Sequence, residues 1–167
     1  MLDTLSKLLP RPLLKSVLRW AAVSFALNLV WEVLQLPFYT IAGTQSAPQV
    51  AYAVVHCTVG DALIAGTSFL AAAIALRTPD WPAARPWAGG SIALTLGMVY
   101  TAYSEWHNVY QTGAWAYSPS MPLIFGIGLA PMLQWLVVPV ATLLIFRRGR
   151  ILAPRLGQPW GGLPPMP

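Results

Sequence analysis

Three carboxylic acids, Glu32, Asp61 and Glu105, fall inside otherwise apolar stretches, with His56 among them and His107 close by. Carboxyl and imidazole groups are the side chains that move protons. In a water-poor setting, a carboxyl that keeps its proton is an acid and its neighbour a base. On helical spacing Asn28, Glu32 and Gln35 stand at i, i+4 and i+7 and form one polar stripe. Cys57 and Asp61 share a second face, and His56 and Gly60 lie on the face beside it. Thr101, Glu105 and Asn108 make a third stripe, flanked by Tyr100, Tyr103 and His107. Gln134 and Trp135 stand between Pro131 and Pro139, residues that kink a helix and free carbonyls. This set suits acid–base chemistry on an apolar substrate, with Glu32 as proton donor, Asp61 or His56 as base and Glu105 as a second acidic partner. Asn28, Trp31, Gln35, Tyr100, Tyr103, Asn108, Gln134 and Trp135 would bind the substrate, their rings steadying a carbocation by cation–π attraction.

Other chemistries are less well supplied. Helical di-metal carboxylate sites use Glu-x-x-His on two helices, whereas Glu105-Trp106-His107 is i, i+2 and points the two side chains apart. No metal and no cofactor are therefore expected. Ser104 lacks an elbow motif, Ser68 sits in plain apolar sequence, and no glycine-rich phosphate loop occurs. Structural roles compete at each position. Polar stripes also glue membrane helices together, Gly60 and Gly66 suit close helix approach, and His56 suits packing. Cys57 suits a filler role, and Trp81, Trp106, Trp115 and Trp160 suit interfacial belts.

The elements that must hold these groups follow from composition. Of 167 residues, 56% are hydrophobic and 9% charged, against about 25% charged in an ordinary soluble domain. Four apolar stretches, roughly 18–41, 50–76, 89–110 and 122–146, are each near the ~20 residues that cross a bilayer. Backbone groups in lipid must be satisfied within the segment, so these stretches predict helices. The expectation is an all-α polytopic membrane protein: a four-transmembrane-helix bundle over 1–151, then a mobile Pro/Gly-rich tail over 152–167. The first stretch exceeds the 7–15 apolar residues of a cleaved signal peptide and contains Glu32.

The basic residues set the orientation. Lys7, Arg11, Lys15 and Arg19 precede or begin the first stretch, and Arg77 and Arg85 separate the second from the third. Arg147, Arg148, Arg150 and Arg155 follow the fourth. Four crossings put all ten on one side, which the positive-inside rule makes cytoplasmic, with both termini there. The net charge of +5 thus reports topology rather than nucleic-acid binding, and the protein is expected in a bacterial inner (plasma) membrane. At ~1.5 Å per residue, Glu32 lies about 20 Å along its span, Asp61 roughly 16 Å below the outer surface and Glu105 within about 8 Å of it. Each charge at mid-membrane costs about 2.5–3.5 kcal/mol, so acids gathered in one layer predict a shared polar cavity.

Two membrane families share short segments with this chain. Asn28-Leu29-Val30-Trp31-Glu32 resembles the Asn-x-x-Trp-Glu segment of integral-membrane terpene cyclases, a resemblance that implies Glu32 as the general acid. Those cyclases also use a late-helix Asp, in whose neighbourhood Gln134 stands here. The segments Glu32 to Tyr39, Tyr52 to Thr58 and Ala130-Pro131 with Pro139 are similar to the EXPERA domain of the sigma-2 receptor and emopamil-binding sterol isomerases. That resemblance implies a small bundle with acids inside a cavity that takes sterols and cationic amphiphiles. The expected activity is that of a membrane-embedded isomerase, cyclase or binder of an isoprenoid- or sterol-like molecule. Its partners would be that lipophilic molecule and membrane lipid, in a homo-oligomer or larger membrane complex. A proton-coupled transporter or a structural subunit of such a complex are the alternatives; a relay needs ionisable groups across the whole membrane, and the inner half holds none.

Overall fold

The structure is a computed structural model that describes residues 10–152, with side chains through Arg148. Asp3, Lys7, Arg155, Trp160 and the tail from 153 lie outside the described residues, as does the side chain of Arg150. Four long helices, α1 (Arg11–Gln35), α2 (Ala47–Ala75), α3 (Pro86–Trp106) and α4 (Leu129–Leu152), make the architecture all-helical. Three of them, α1 with its extension to Phe38, α2 and α4, are long and apolar enough to cross a membrane. The 21 residues of α3 reach about 31 Å, but its glycines, tyrosines, Ser91 and Ser104 dilute its hydropathy.

Local sequence sets the helix ends. Prolines occupy the first turns of α1, α2 and α3, where their missing N–H is not needed. Ahead of α2, the Ser46 N–H donates to Gln49 Oε1 at 3.0 Å, half of a capping box. α1 stops at Gln35 rather than near 41 because Pro37 cannot donate, and a 3-10 turn follows over Leu36–Phe38. α3 passes into a π turn over His107–Thr112, closed by Gly113 at φ 65°.

The fourth apolar stretch is shorter as a helix than its composition suggests. Its first residues form an antiparallel hairpin, β1 (Leu123–Ile124) and β2 (Ile127–Gly128), with Ile124 opposite Ile127. The turn places Phe125 at φ 51° and Gly126 at φ 82°, the positive-φ pair of a tight hairpin that glycine adopts freely. Apolarity alone does not separate such a hairpin from a helix turn.

The helices alternate in direction and close a ring, α1 against α2, α2 against α3, α3 against α4 and α4 against α1. At one end Trp20, Phe69, Trp81 and Phe146 form a buried aromatic plug, with ring centroids 5.2–6.4 Å apart. Gly89 makes room for it, because a Cβ there would overlap the Trp81 ring. The Arg19 guanidinium lies 4.9 Å above Phe146. Helix polarity puts Arg11, Lys15, Arg77, Arg85, Arg147 and Arg148 at this same end. The opposite end carries the C-termini of α1 and α3 and the N-termini of α2 and α4.

Candidate functional site

That opposite end is polar inside. Gln134, on the second turn of α4, is a hub. Its Nε2 reaches Asp61 Oδ2 at 2.8 Å, Asn28 Oδ1 at 3.0 Å and Glu32 Oε1 at 3.2 Å. An amide nitrogen carries two hydrogens, so these three acceptors share two donors. Gln35 Nε2 donates to Glu32 Oε1 at 2.9 Å and to Gln134 Oε1 at 3.3 Å. The Glu32 and Asp61 carboxyls thus converge on the same Gln134 nitrogen. Helical spacing brings Asn28, Glu32 and Gln35 to one face of α1, and α2 and α4 press Asp61 and Gln134 onto it.

A second cluster surrounds Glu105 on α3, the helix diagonal to α1. Glu105 is 7% exposed, and its Oε2 accepts from Tyr117 at 2.7 Å and from Tyr39 at 3.2 Å. The Tyr117 hydroxyl in turn accepts the Gly128 N–H at 2.9 Å. Burial first, and then Glu105, pushes both phenols above their ordinary range, so they remain donors at neutral pH. Tyr39 and Tyr117 meet in an isolated bridge. The loop is sewn to the end of α1 by Thr40 N–H to Ala116 O (3.0 Å), Ser118 N–H to Phe38 O (2.9 Å) and Ser118 Oγ to Pro37 O (3.0 Å).

Between the clusters lies a cavity of about 350 Å³, at the small end of the ~300–1,000 Å³ range of small-molecule sites. Glu32, Gln35, Asp61, Gln134 and Glu105 border it, and Leu36, Val54 and Ile64 supply apolar wall. His56, Tyr100, Asn108 and Trp135 also border it. Four expectations change. His56 is exposed and stacked on Tyr52 at 5.7 Å, whereas Asp61 shares the Gln134 Nε2 with Glu32. Tyr103 turns outward, 57% exposed and stacked on His107 at 5.8 Å. Trp31 and Asn28 do not border this cavity; Asn28 lines a much smaller one with Trp20, Ser24 and Trp135. Gly60 serves no close approach: a Cβ there meets nothing within 4 Å because the residue faces the cavity. A Cβ at Gly66 would meet Val17 and Ala21 only at ordinary contact distance.

Tyr39, Trp115 and Tyr117 belong to the site and were not expected there. Their one sequence signal is that they are aromatic residues with polar tips in turn-rich segments. Asn108 folds back to Ser104 O at 2.8 Å. Among the described residues, no group of three or more His, Cys, Asp or Glu side chains is placed to hold a metal ion. No known family, curated protein or solved structure matches the chain.

Proposed function

We propose that the chain is a four-span membrane protein, both termini on the basic, cytoplasmic face of a bacterial-type inner membrane. Its cavity, toward the other leaflet, takes an isoprenoid- or sterol-like molecule and performs proton transfer on it, as an isomerase or cyclase does. One observation carries this reading: two carboxyls held on one amide nitrogen, Glu32 and Asp61, border a cavity that also has apolar wall. A carboxyl pair holding one proton can deliver it and take another back, the two halves of an isomerisation. Gln35 and Gln134 fix the pair's orientation without supplying positive charge. Glu105, on the diagonal helix, is the second acidic partner, and the resemblances to membrane cyclases and EXPERA proteins point to the same ligand class.

Glu32→Gln keeps the shape and most of the hydrogen bonds but removes the transferable proton. Cells or liposomes carrying this variant should lose the lipid conversion that the unaltered chain produces, read by mass spectrometry of extracts, while the thermal transition stays in place. An identical lipid profile in the folded variant refutes the assignment.

A further inference from the structure

The hairpin ahead of α4 carries at its tip a side chain that its backbone does not favour. Phe125 sits at φ 51°, next to Gly126 at φ 82°. A two-residue turn of this kind takes Asn-Gly or Asp-Gly, because a Cβ in the left-handed region crowds the following carbonyl. A bulky aromatic there is an outlier that points to a role outside the turn. The fold makes no use of the ring: Phe125 is fully exposed, and Leu123 and Ile124 before it are half exposed. The hairpin is nevertheless fixed in place. The Tyr110 hydroxyl donates to Gly126 O at 2.6 Å, the Leu129 N–H to Pro122 O at 2.8 Å and the Gly128 N–H to the Tyr117 hydroxyl at 2.9 Å.

What the tip meets follows from its neighbours. On α3, Leu96, Val99, Tyr103 and Trp106 recur at helical intervals and are all exposed, and exposed Tyr110 continues the row in the π turn. The row passes from aliphatic to aromatic toward the end of the helix, the pattern of a lipid-facing surface that reaches the membrane boundary. The Tyr110 hydrogen bond joins the hairpin to the aromatic end of that row. No Asp, Glu, Lys or Arg occurs from His107 to Phe146, so the tip offers nothing to a charged partner. A stable protein partner needs about 800 Å² on each side, and the tip projects only Leu123, Ile124 and Phe125. A membrane interface takes up single aromatic side chains.

We infer that the tip is a membrane anchor: Phe125, with Leu123 and Ile124, enters the boundary between head groups and acyl chains of the non-cytoplasmic leaflet, beside Tyr110. This rests on the four-span reading above, which supplies that leaflet. Through Gly128, Tyr117 and Glu105, the anchored hairpin ties the Glu105 side of the cavity to the bilayer surface.

The test places a nitroxide on Phe125→Cys, Val99→Cys or Arg85→Cys, each in a Cys57→Ala background that removes the one native cysteine, with the full chain in liposomes. Molecular oxygen concentrates in lipid and a nickel chelate stays in water, so their collision rates with the label report its surroundings. The oxygen-to-nickel ratio at position 125 should be several-fold above that at 85 and below that at 99. A ratio at 125 equal to that at 85 puts the tip in water and overturns the anchor. Exclusion of both reagents at 125 means that protein covers the tip, a second copy or another partner, and overturns it as well. A ratio at 99 as low as at 85 overturns the four-span reading together with the anchor, whereas a high ratio at 99 with a low one at 125 removes the anchor alone. Where the cysteine-free background does not fold, a benzophenone side chain at position 125 of the otherwise unaltered chain should couple to phospholipid on irradiation. Coupling to a protein chain instead overturns the anchor.

Discussion

Replacing Gln134 by leucine tests whether the amide hub holds three helices together. The side chain is 3% exposed and ties α4 to Asn28 and Glu32 on α1 and to Asp61 on α2. The losses are unequal. Asp61, Glu32 and Gln35 border the cavity, where water can stand in for the amide at little cost. Asn28 is 2% exposed and does not border that cavity, so its Oδ1 loses its Gln134 donor at about 1–3 kcal/mol. Interhelical hydrogen bonds in membranes average only ~0.6 kcal/mol, and leucine recovers part of the loss as buried apolar area. The net expectation is about 1–2 kcal/mol, or roughly 2–8 °C for a chain of this size. Thermal unfolding in nanodiscs would read this. Asn28→Leu combined with Gln134→Leu should recover about 1 kcal/mol relative to the sum of the single variants, because both partners are then apolar. A single variant as stable as the parent, with strict additivity in the double, refutes the hub.

Gly97→Ala should destabilise by about 1–3 kcal/mol, since a Cβ there overlaps the buried Trp135 ring, whereas Gly60→Ala, with nothing within 4 Å, should be neutral or stabilising by up to ~1 kcal/mol; paired denaturation curves compare them. Tyr117→Phe loses the donor to Glu105 and the acceptor for Gly128. Because the folded phenol titrates above its unfolded value of ~10, its contribution is whole below about pH 10 and fades as pH climbs beyond. The stability gap between parent and Tyr117→Phe should therefore narrow only above that pH, and a gap that closes in acid instead contradicts the assignment. In a Cys57→Ala background, Gln111→Cys should react with an impermeant maleimide on intact cells and Arg85→Cys only after permeabilisation. The reverse pattern overturns the proposed orientation.

The helical architecture was legible because apolar runs of bilayer length leave the backbone few choices. The main cluster was legible too. Asn28, Glu32 and Gln35 announce a shared face by spacing, and the expense of isolated acids in lipid implies that Asp61 joins them. The Glu105 site was half legible. Glu105 itself stands out, but Tyr39 and Tyr117 reach it through loop contacts such as Ser118 Oγ to Pro37 O, 81 residues apart in sequence, which no local period encodes. Tyr100 and Tyr103 lie one helical turn apart, yet Tyr100 borders the cavity and Tyr103 does not. Trp81 has the sequence setting of an interfacial belt residue and is instead fully buried, because Gly89 opens a slot for its ring and Phe69 O accepts its indole N–H at 3.2 Å. The hairpin at Leu123–Gly128 was hidden by its own apolarity.

The division of the bundle into two ends explains how a polar hollow survives in so small a protein. Buried large rings, the densest source of packing stabilisation available, concentrate at the basic end, where Trp20, Phe69, Trp81 and Phe146 fill the space between helices. Toward the other end α2 presents the small residues Ala53, Cys57 and Gly60 to the space, and there the same four helices leave a gap. That gap is where the carboxyls sit, and the Gln134 hub beside it ties only α1, α2 and α4 together. The aromatic plug joins the helices at the basic end and closes the bundle there. A proton relay through the bundle would have to cross that plug, whereas acid–base chemistry on a bound lipophile needs only the mouth. Phe69 of α2 packs within the plug and Gly60 of the same helix borders the cavity, so the gap opens within about 14 Å of the ring cluster along that axis.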